Sequence, residues 1–163
     1  MFGAIYSGLR LDGVLSGRVR RDGANAESKI AELVLTSKFA PQVQLVMLQG
    51  IALGGFNVVD LNMLHGDLQV PVLVVARRKP NLVAMRDALL NHVLGGKRKW
   101  KLIESFGEME SVAGVFVQRV GLSLKEADTV VRRFAVYSRI PEPLRVAHLI
   151  AGGATTGQSR GRP

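Results

Sequence analysis

Metal-assisted phosphoryl transfer requires two or three carboxylates converging on divalent ions. Three acids, Asp22, Glu27 and Asp60, stand where strands should end or helices begin. Their spacing does not bring them together by itself, and roles as solvated turn and cap residues are the plainer account. A second candidate lies in "LVMLQGIALGGFNVVD", Leu45 to Asp60. An apolar run stops at Gln49-Gly50, and Gly54, Gly55 and Asn57 follow before a new apolar pattern. That layout reads as a buried strand opening into a glycine-rich loop. In α/β folds ligands bind beyond the carboxyl ends of such strands. The loop lacks the Lys-Ser/Thr of a phosphate-binding loop and the spacing of a dinucleotide fingerprint. A tight turn using positive φ angles explains the glycines equally well.

Arg77, Arg78 and Lys79 follow another apolar run, on the sheet edge expected to carry Gln49. This placement suits contacts to phosphate. Further basic residues are Arg18, Arg20 and Arg21, the "KRKWK" run Lys97–Lys101, and Arg160 with Arg162. Trp100 in that run could stack on a base or anchor its helix to the core, and the anchor is preferred. His65, His92 and His148 stand far apart, without metal-ligand spacing. Only His148 has a suggestive neighbour, Arg145, three residues earlier on one helix face.

The elements that position these residues follow from periodicity. Phe2–Gly8 and Gly13–Arg21 read as a hairpin turning at "RLDG". A helix follows, capped by Asn25 or Ser28. "VQLVML" and "VPVLVVA" read as strands covered on both faces. "FNVVDLNMLHGD" reads as a helix with Val58, Leu61, Met63 and Leu64 inward. A helix stopped by Gly95-Gly96, a charged helical segment and a strand, "GVFVQRVG", come next. Ser123 and Glu126 have capping-box spacing and open a further helix. Pro143 suits the first turn of the last one. The order predicts an α/β fold with a mixed sheet and helices on both faces, as one domain over residues 1–152 with a loose tail over 153–163.

Bulk properties limit the function classes. The chain has 163 residues, 47% of them hydrophobic, and no cysteine. Disulfides and thiolate metal sites are excluded. No apolar run reaches the roughly 20 residues a membrane span needs, so a cytoplasmic protein with no membrane partner is expected. There are 22 Lys and Arg against 13 Asp and Glu, a formal charge of +9. Such a surface attracts polyanions, and nucleic acid is the usual partner.

Several segments together resemble a known family. They are "MLQGIALGGFNVVDLNMLH", "PVLVVARRKPN", "VQRVGLSLKEA", and "IPEPLRVAHLIAGG" with "GQSRGRP". They are similar to an archaeal family of uncharacterised proteins, a domain of unknown function distantly related to endonuclease V. The likeness runs from Phe2 to Pro163 and implies a ribonuclease-H-like fold. In endonuclease V the position like Gln49 is an Asp that binds a catalytic metal. The resemblance also implies an Asp where Asn25 stands, and an earlier central strand carrying paired Asp residues. Here both positions are neutral and that strand is absent ahead of Phe2. Glu27 remains as a third acid.

Three readings result. The first is a nucleic-acid-binding module with weak or absent nuclease activity. Its polar site would comprise Gln49, Gly50, Gly54, Gly55, Asn57, Arg145 and His148, with Arg77, Arg78 and Lys79 on the nucleic acid. It needs no cofactor. The second is a Mg²⁺-dependent endonuclease for deaminated or damaged nucleic acid, using Glu27 and Asp60. The third is a structural or protein-interaction module. Without its central strand the sheet would either pair Phe2–Ser7 directly with Gln44–Leu48 or recruit a second copy as a homodimer.

Overall fold

A computed structural model describes residues 1–159. In chain order the elements are β1 (Phe2–Ser7), β2 (Arg10–Ser16), α1 (Ala26–Leu35), β3 (Val46–Gln49), β4 (Ala52–Leu53), β5 (Asn57–Val58) and α2 (Leu61–Leu68). β6 (Val72–Ala76), α3 (Leu82–His92), α4 (Gly96–Ser105), β7 (Glu110–Val112), β8 (Val115–Val120), α5 (Leu124–Phe134) and α6 (Glu142–Thr156) complete the fold. The main sheet has the order β3-β6-β8-β7; β6 is parallel to β3 and antiparallel to β8. The expected mixed α/β sheet is therefore present.

The absence of alternation in "VLVVA" has a direct cause. Val72 and Val74 pack on one face with Ala26, Ile30 and Ala31 of α1 and with Leu61, Leu64 and Leu68 of α2. Leu73 and Val75 pack on the other with Val117, with Ala127 and Val131 of α5 and with Leu144 of α6. Each fully buried aliphatic side chain contributes about 1.5–3 kcal/mol, so both faces must be apolar. Val58, Leu89 and Ile103 form a third cluster that joins β5 to α3 and α4.

Several boundaries move. The turn of the first hairpin is Gly8-Leu9, while Asp12 and Gly13 lie inside β2. The register slips between Ile5 and Tyr6, so the Asp-Gly signal marks a bulge. Arg18, Arg20 and Arg21 lie beyond β2. β3 begins only at Val46, and a 3₁₀ turn, Ala40–Gln42, stands ahead of it. Met63 is 55% exposed rather than inward, since α2 starts at Leu61 and Val58 belongs to β5. α3 ends before Gly95-Gly96, and those glycines open α4 instead. A Cβ on Gly96 would sit 1.8 Å from the Leu89 carbonyl oxygen, so only glycine lets α3 and α4 approach there. The capping box at Ser123 and Glu126 forms in full. α6 continues to Thr156, so residues 153–156 of the expected tail are helical. Arg160 and Arg162 lie outside the described residues.

The expected direct pairing of Phe2–Ser7 with Gln44–Leu48 does not form. β1 pairs with β2 in a separate two-stranded sheet. α6 packs across both β1 and β3 and holds the hairpin beside the main sheet. Met1 and Gly17 exchange backbone hydrogen bonds at 3.0 and 2.7 Å. Antiparallel pairs alternate, so the Phe2 and Ala4 backbone groups point to the outer edge of β1. On β3 the Val46 and Gly50 amides donate toward β6, which turns those of Met47 and Gln49 outward. Among the described residues no helix is long and apolar enough to cross a membrane.

Candidate nucleic-acid interface at the strand ends

Parallel pairing aligns Gln49 with Val75. The Gly50 amide donates to the Val75 carbonyl at 3.0 Å, so the two chain exits leave side by side. Gln49, Arg77 and Arg78 are exposed there. The sequence expectation that these residues share one sheet edge is met. Lys79 pairs with Glu108 at 2.5 Å. The Lys79 ammonium holds the exposed Glu108 carboxyl below its ordinary value, by a hydrogen bond first and by charge second.

The glycine loop has a different role from a ligand cradle. Gly54 and Gly55 adopt φ of +53° and +81°. A Cβ on Gly55 would lie 2.3 Å from Asp22 Oδ1. Asp22 Oδ1 accepts from the Phe56 amide at 2.7 Å, and the Asp22 amide donates to the Gly54 carbonyl at 2.9 Å. The anion received by this loop is thus a carboxylate of the same chain. Asn57, fully buried, completes the lock. Its Oδ1 accepts from the Asn25 and Ala26 amides at 3.1 and 3.0 Å. Its Nδ2 donates to the Arg20 carbonyl and to Asn25 Oδ1 at 2.9 and 2.8 Å. Asn57 therefore caps α1 from a distance, whereas the side chain of Asn25 makes no capping bond to that helix. With both donors and both lone-pair directions of its amide used, Asn57 has nothing left for a ligand.

Lys99 tightens the same lock. It is 7% exposed, and its ammonium donates to the Asp22 carbonyl. Burial pushes its pKa below the ordinary lysine value, and the nearby Asp22 charge opposes that shift. Trp100 packs onto the third apolar cluster, which is the anchoring role. His65 donates through Nδ1 to the Val70 carbonyl at 2.8 Å and is likewise structural.

The acids disperse. Asp60 caps α2, accepting from the Asn62 and Met63 amides at 3.1 Å each. Its carboxylate is a helix cap rather than a free metal ligand. Glu27 occupies the first turn of α1, where the helix dipole favours a negative charge. Among the described residues no group of three His, Cys, Asp or Glu side chains could hold a metal ion. Arg145 forms a two-pronged pair with Glu142 at 2.7 and 2.6 Å, and its guanidinium lies over the Tyr137 ring at 5.4 Å. The hydrogen bond to Glu142 holds its pKa above the ordinary value. Arg145 is thus committed to the start of α6. His148, half-buried, lies one turn further on.

Sequence reasoning missed a cavity of about 220 Å³ beside the strand exits. Gly50, Ile51 and Ala52 form one wall, and Ala76, Lys79, Pro80 and Leu82 another. Met85, Ile103, Gly107, Met109 and Gln118 close it. Gln118 is 8% exposed, and its Nε2 donates to the Gly107 carbonyl at 2.8 Å. A signal for it existed. Gln118 is the one uncharged polar residue in "VFVQRV", a strand otherwise apolar apart from the paired Arg119.

Comparisons with known proteins add a family. The family described as endonuclease dU matches residues 1–155. A UPF0215 protein of Deinococcus radiodurans is 59% identical over 162 residues, covering 99% of this chain and 82% of its own length. One from Methanosarcina acetivorans is 40% identical over 158 residues, covering 93% of this chain and 80% of its own. The relatives are thus bacterial as well as archaeal. A crystal structure of an Archaeoglobus fulgidus protein of unknown function superposes with a TM-score of 0.89 at 33% identity. That match covers 94% of this chain and 88% of the other.

Proposed function

The chain belongs to the endonuclease dU family, and from that premise we propose that it binds nucleic acid where β3 and β6 end. We read dU as deoxyuridine, which makes DNA carrying that base the ligand to test. The observation that carries the reading is the convergence of Gln49, Arg77 and Arg78 at one exposed edge of a chain with a charge of +9. The arginines neutralise phosphate, and the Gln49 amide donates to phosphate or sugar. Gln49 is a poor ligand for Mg²⁺, which takes carboxylates. Asp60 is occupied as a cap, and among the described residues no group of three His, Cys, Asp or Glu side chains could hold a metal ion. The reading is therefore of binding with weak or absent cleavage, by a cytoplasmic protein. The mixed sheet, with the separate β1–β2 hairpin bridged to it by α6, supports a ribonuclease-H-like fold.

The family's description favours a second reading, metal-dependent cleavage of the same DNA. Incubating single-stranded DNA holding one deoxyuridine with the protein and Mg²⁺ or Mn²⁺ separates the two. Retention on the DNA without strand scission supports the first, and scission that chelator abolishes supports the second.

A further inference from the structure

The "KRKWK" run is a basic segment that the strand-exit site leaves unused. α3 starts and α4 ends beside the strand exits, where Leu82, Met85 and Ile103 line the cavity with Gly50 and Ala76. The two helices pack on each other, so the turn between them, residues 93–95, stands at the far end of α3. That end is ~16 Å away, at a rise of ~1.5 Å for each residue of the helix. In α4 Gly96, Lys99 and Ile103 are buried. Helical spacing therefore sets Lys97, Arg98 and Lys101 on the opposite face, and all three are exposed. Among the described residues none of these three side chains forms an ion pair. Of the nearby acids, Asp87 accepts from the Asn91 amide at 2.7 Å, and Glu104 is exposed toward the strand-exit end of α4.

Leu94, in the turn, is 95% exposed. A single exposed leucine needs no explanation by itself, but this one is held out on an anchored turn. Leu89 and Val93 before it and Trp100 after it pack into the third apolar cluster. The Gly96 amide donates to the Val93 carbonyl at 3.0 Å, and Gly95 reverses the chain with φ of +71°. An apolar tip fixed beside three unpaired cations has the parts of a wedge, which parts two bases while the cations hold the phosphates. A lipid surface suits it less, since an interfacial helix lays a continuous apolar face on the membrane. The apolar side chains of α4 are turned into the core, and Val83, also strongly exposed, lies at the other end of α3.

We propose that the α3–α4 hairpin is a second contact to nucleic acid, separate from the strand exits, which grips a duplex through Lys97, Arg98 and Lys101 and inserts Leu94 into one base step. The inference rests on the nucleic-acid reading above. The cations neutralise backbone phosphates and read no sequence. Leu94 enters the stack without hydrogen bonds, so it too accepts any sequence and favours steps that unstack easily. Partial unstacking kinks the duplex at that step. The hairpin thus positions and bends the duplex, and any choice among bases is made elsewhere.

The test uses the full chain and a short DNA duplex of ordinary bases in which several adenines are replaced by 2-aminopurine, whose fluorescence rises on unstacking. Binding should brighten it. Leu94→Ala should abolish the brightening and weaken binding roughly tenfold, on the order of burying one leucine side chain, with the salt slope unchanged. Replacing Lys97, Arg98 and Lys101 together by Ala should lower that slope by about 2–3. All four side chains are exposed, and melting checks that each variant keeps its fold. Brightening that survives Leu94→Ala, or a slope unmoved by the three substitutions, overturns the proposal. If the slope then responds to Arg77→Ala with Arg78→Ala, the broader function stands without the hairpin. A slope that responds to the hairpin substitutions alone keeps the hairpin and removes the strand exits. Vesicles of phosphatidylserine and phosphatidylcholine probe the membrane. Vesicle binding lost in Leu94→Ala while duplex binding is unaffected overturns the proposal.

Discussion

Two regions lie near the exits of β3 and β6, and they differ in what they have left to offer. In one, Asp22, Gly54, Gly55, Asn57 and Lys99 close on each other, and the Asn57 amide is used in full. In the other, an apolar-walled cavity carries one amide used on a single hydrogen. The first looks like a binding loop in the sequence and is a structural lock. The second has no motif and has both the room and the unspent polar group. Glycines and amides mark where a chain must satisfy itself as often as where it meets a ligand. The decision comes from whether partners are already present.

The largest expected effects fall on the lock. Asn57→Ala removes all four hydrogen bonds of a fully buried amide and frees the first amides of α1. It should cost about 3–5 kcal/mol, counting the groups left unpaired. Gly55→Ala forces a Cβ against the Asp22 carboxylate at a positive φ and should cost about 2–4 kcal/mol. Both are measured by urea unfolding. A near-neutral Asn57→Ala would show that the amide is free for a ligand and collapse the distinction. Next is the ion pair at the start of α6. Arg145→Ala leaves Glu142, 7% exposed, without its partner and should cost about 3 kcal/mol. Nucleic-acid affinity should hardly change, whereas a large loss of affinity would return Arg145 to the binding site.

The binding side should respond in affinity and not in stability. Arg77→Ala with Arg78→Ala should reduce the salt dependence of DNA binding by a slope of about 1–2, with melting little altered. An unchanged slope would move the phosphate contacts elsewhere. The smallest effect concerns the cavity rim. Glu108 has a depressed folded-state pKa, so the contribution of the Lys79 pair is fully present above the ordinary value of 4.5 and is lost as pH falls on through the lower folded-state pKa. Lys79→Ala should return Glu108 to its ordinary titration, read by NMR. An unmoved titration would mean that the pair does not form in solution.

Much of this was legible in the residues. The unbroken apolar runs of β3 and β6 announced a strand pair covered on both faces. Ser123 and Glu126 announced the start of α5. The shared edge of Gln49 and Arg77–Lys79 followed from parallel pairing. What failed had tertiary causes. Asp12-Gly13 reads as a turn but forms a bulge, because Gly8 already makes the reversal. Asn25 reads as a cap, but Asn57, thirty-two residues away, does that work. Asp60, for which a cap role was the plainer account, is the cap of α2. Gln118 was overlooked because one polar residue in a strand signals only that something beside it is polar. No local pattern records that the neighbour is a cavity.

The central claim is that the neutral strand end binds nucleic acid without needing a metal. Binding of single-stranded DNA with one deoxyuridine, measured across salt concentrations with Mg²⁺ and with chelator, tests it most directly. The account predicts salt-dependent binding of equal strength in both conditions, weakened by the Arg77 and Arg78 substitutions, with the DNA recovered intact. Binding that requires the metal, or DNA cut in its presence and spared by chelator, would contradict it.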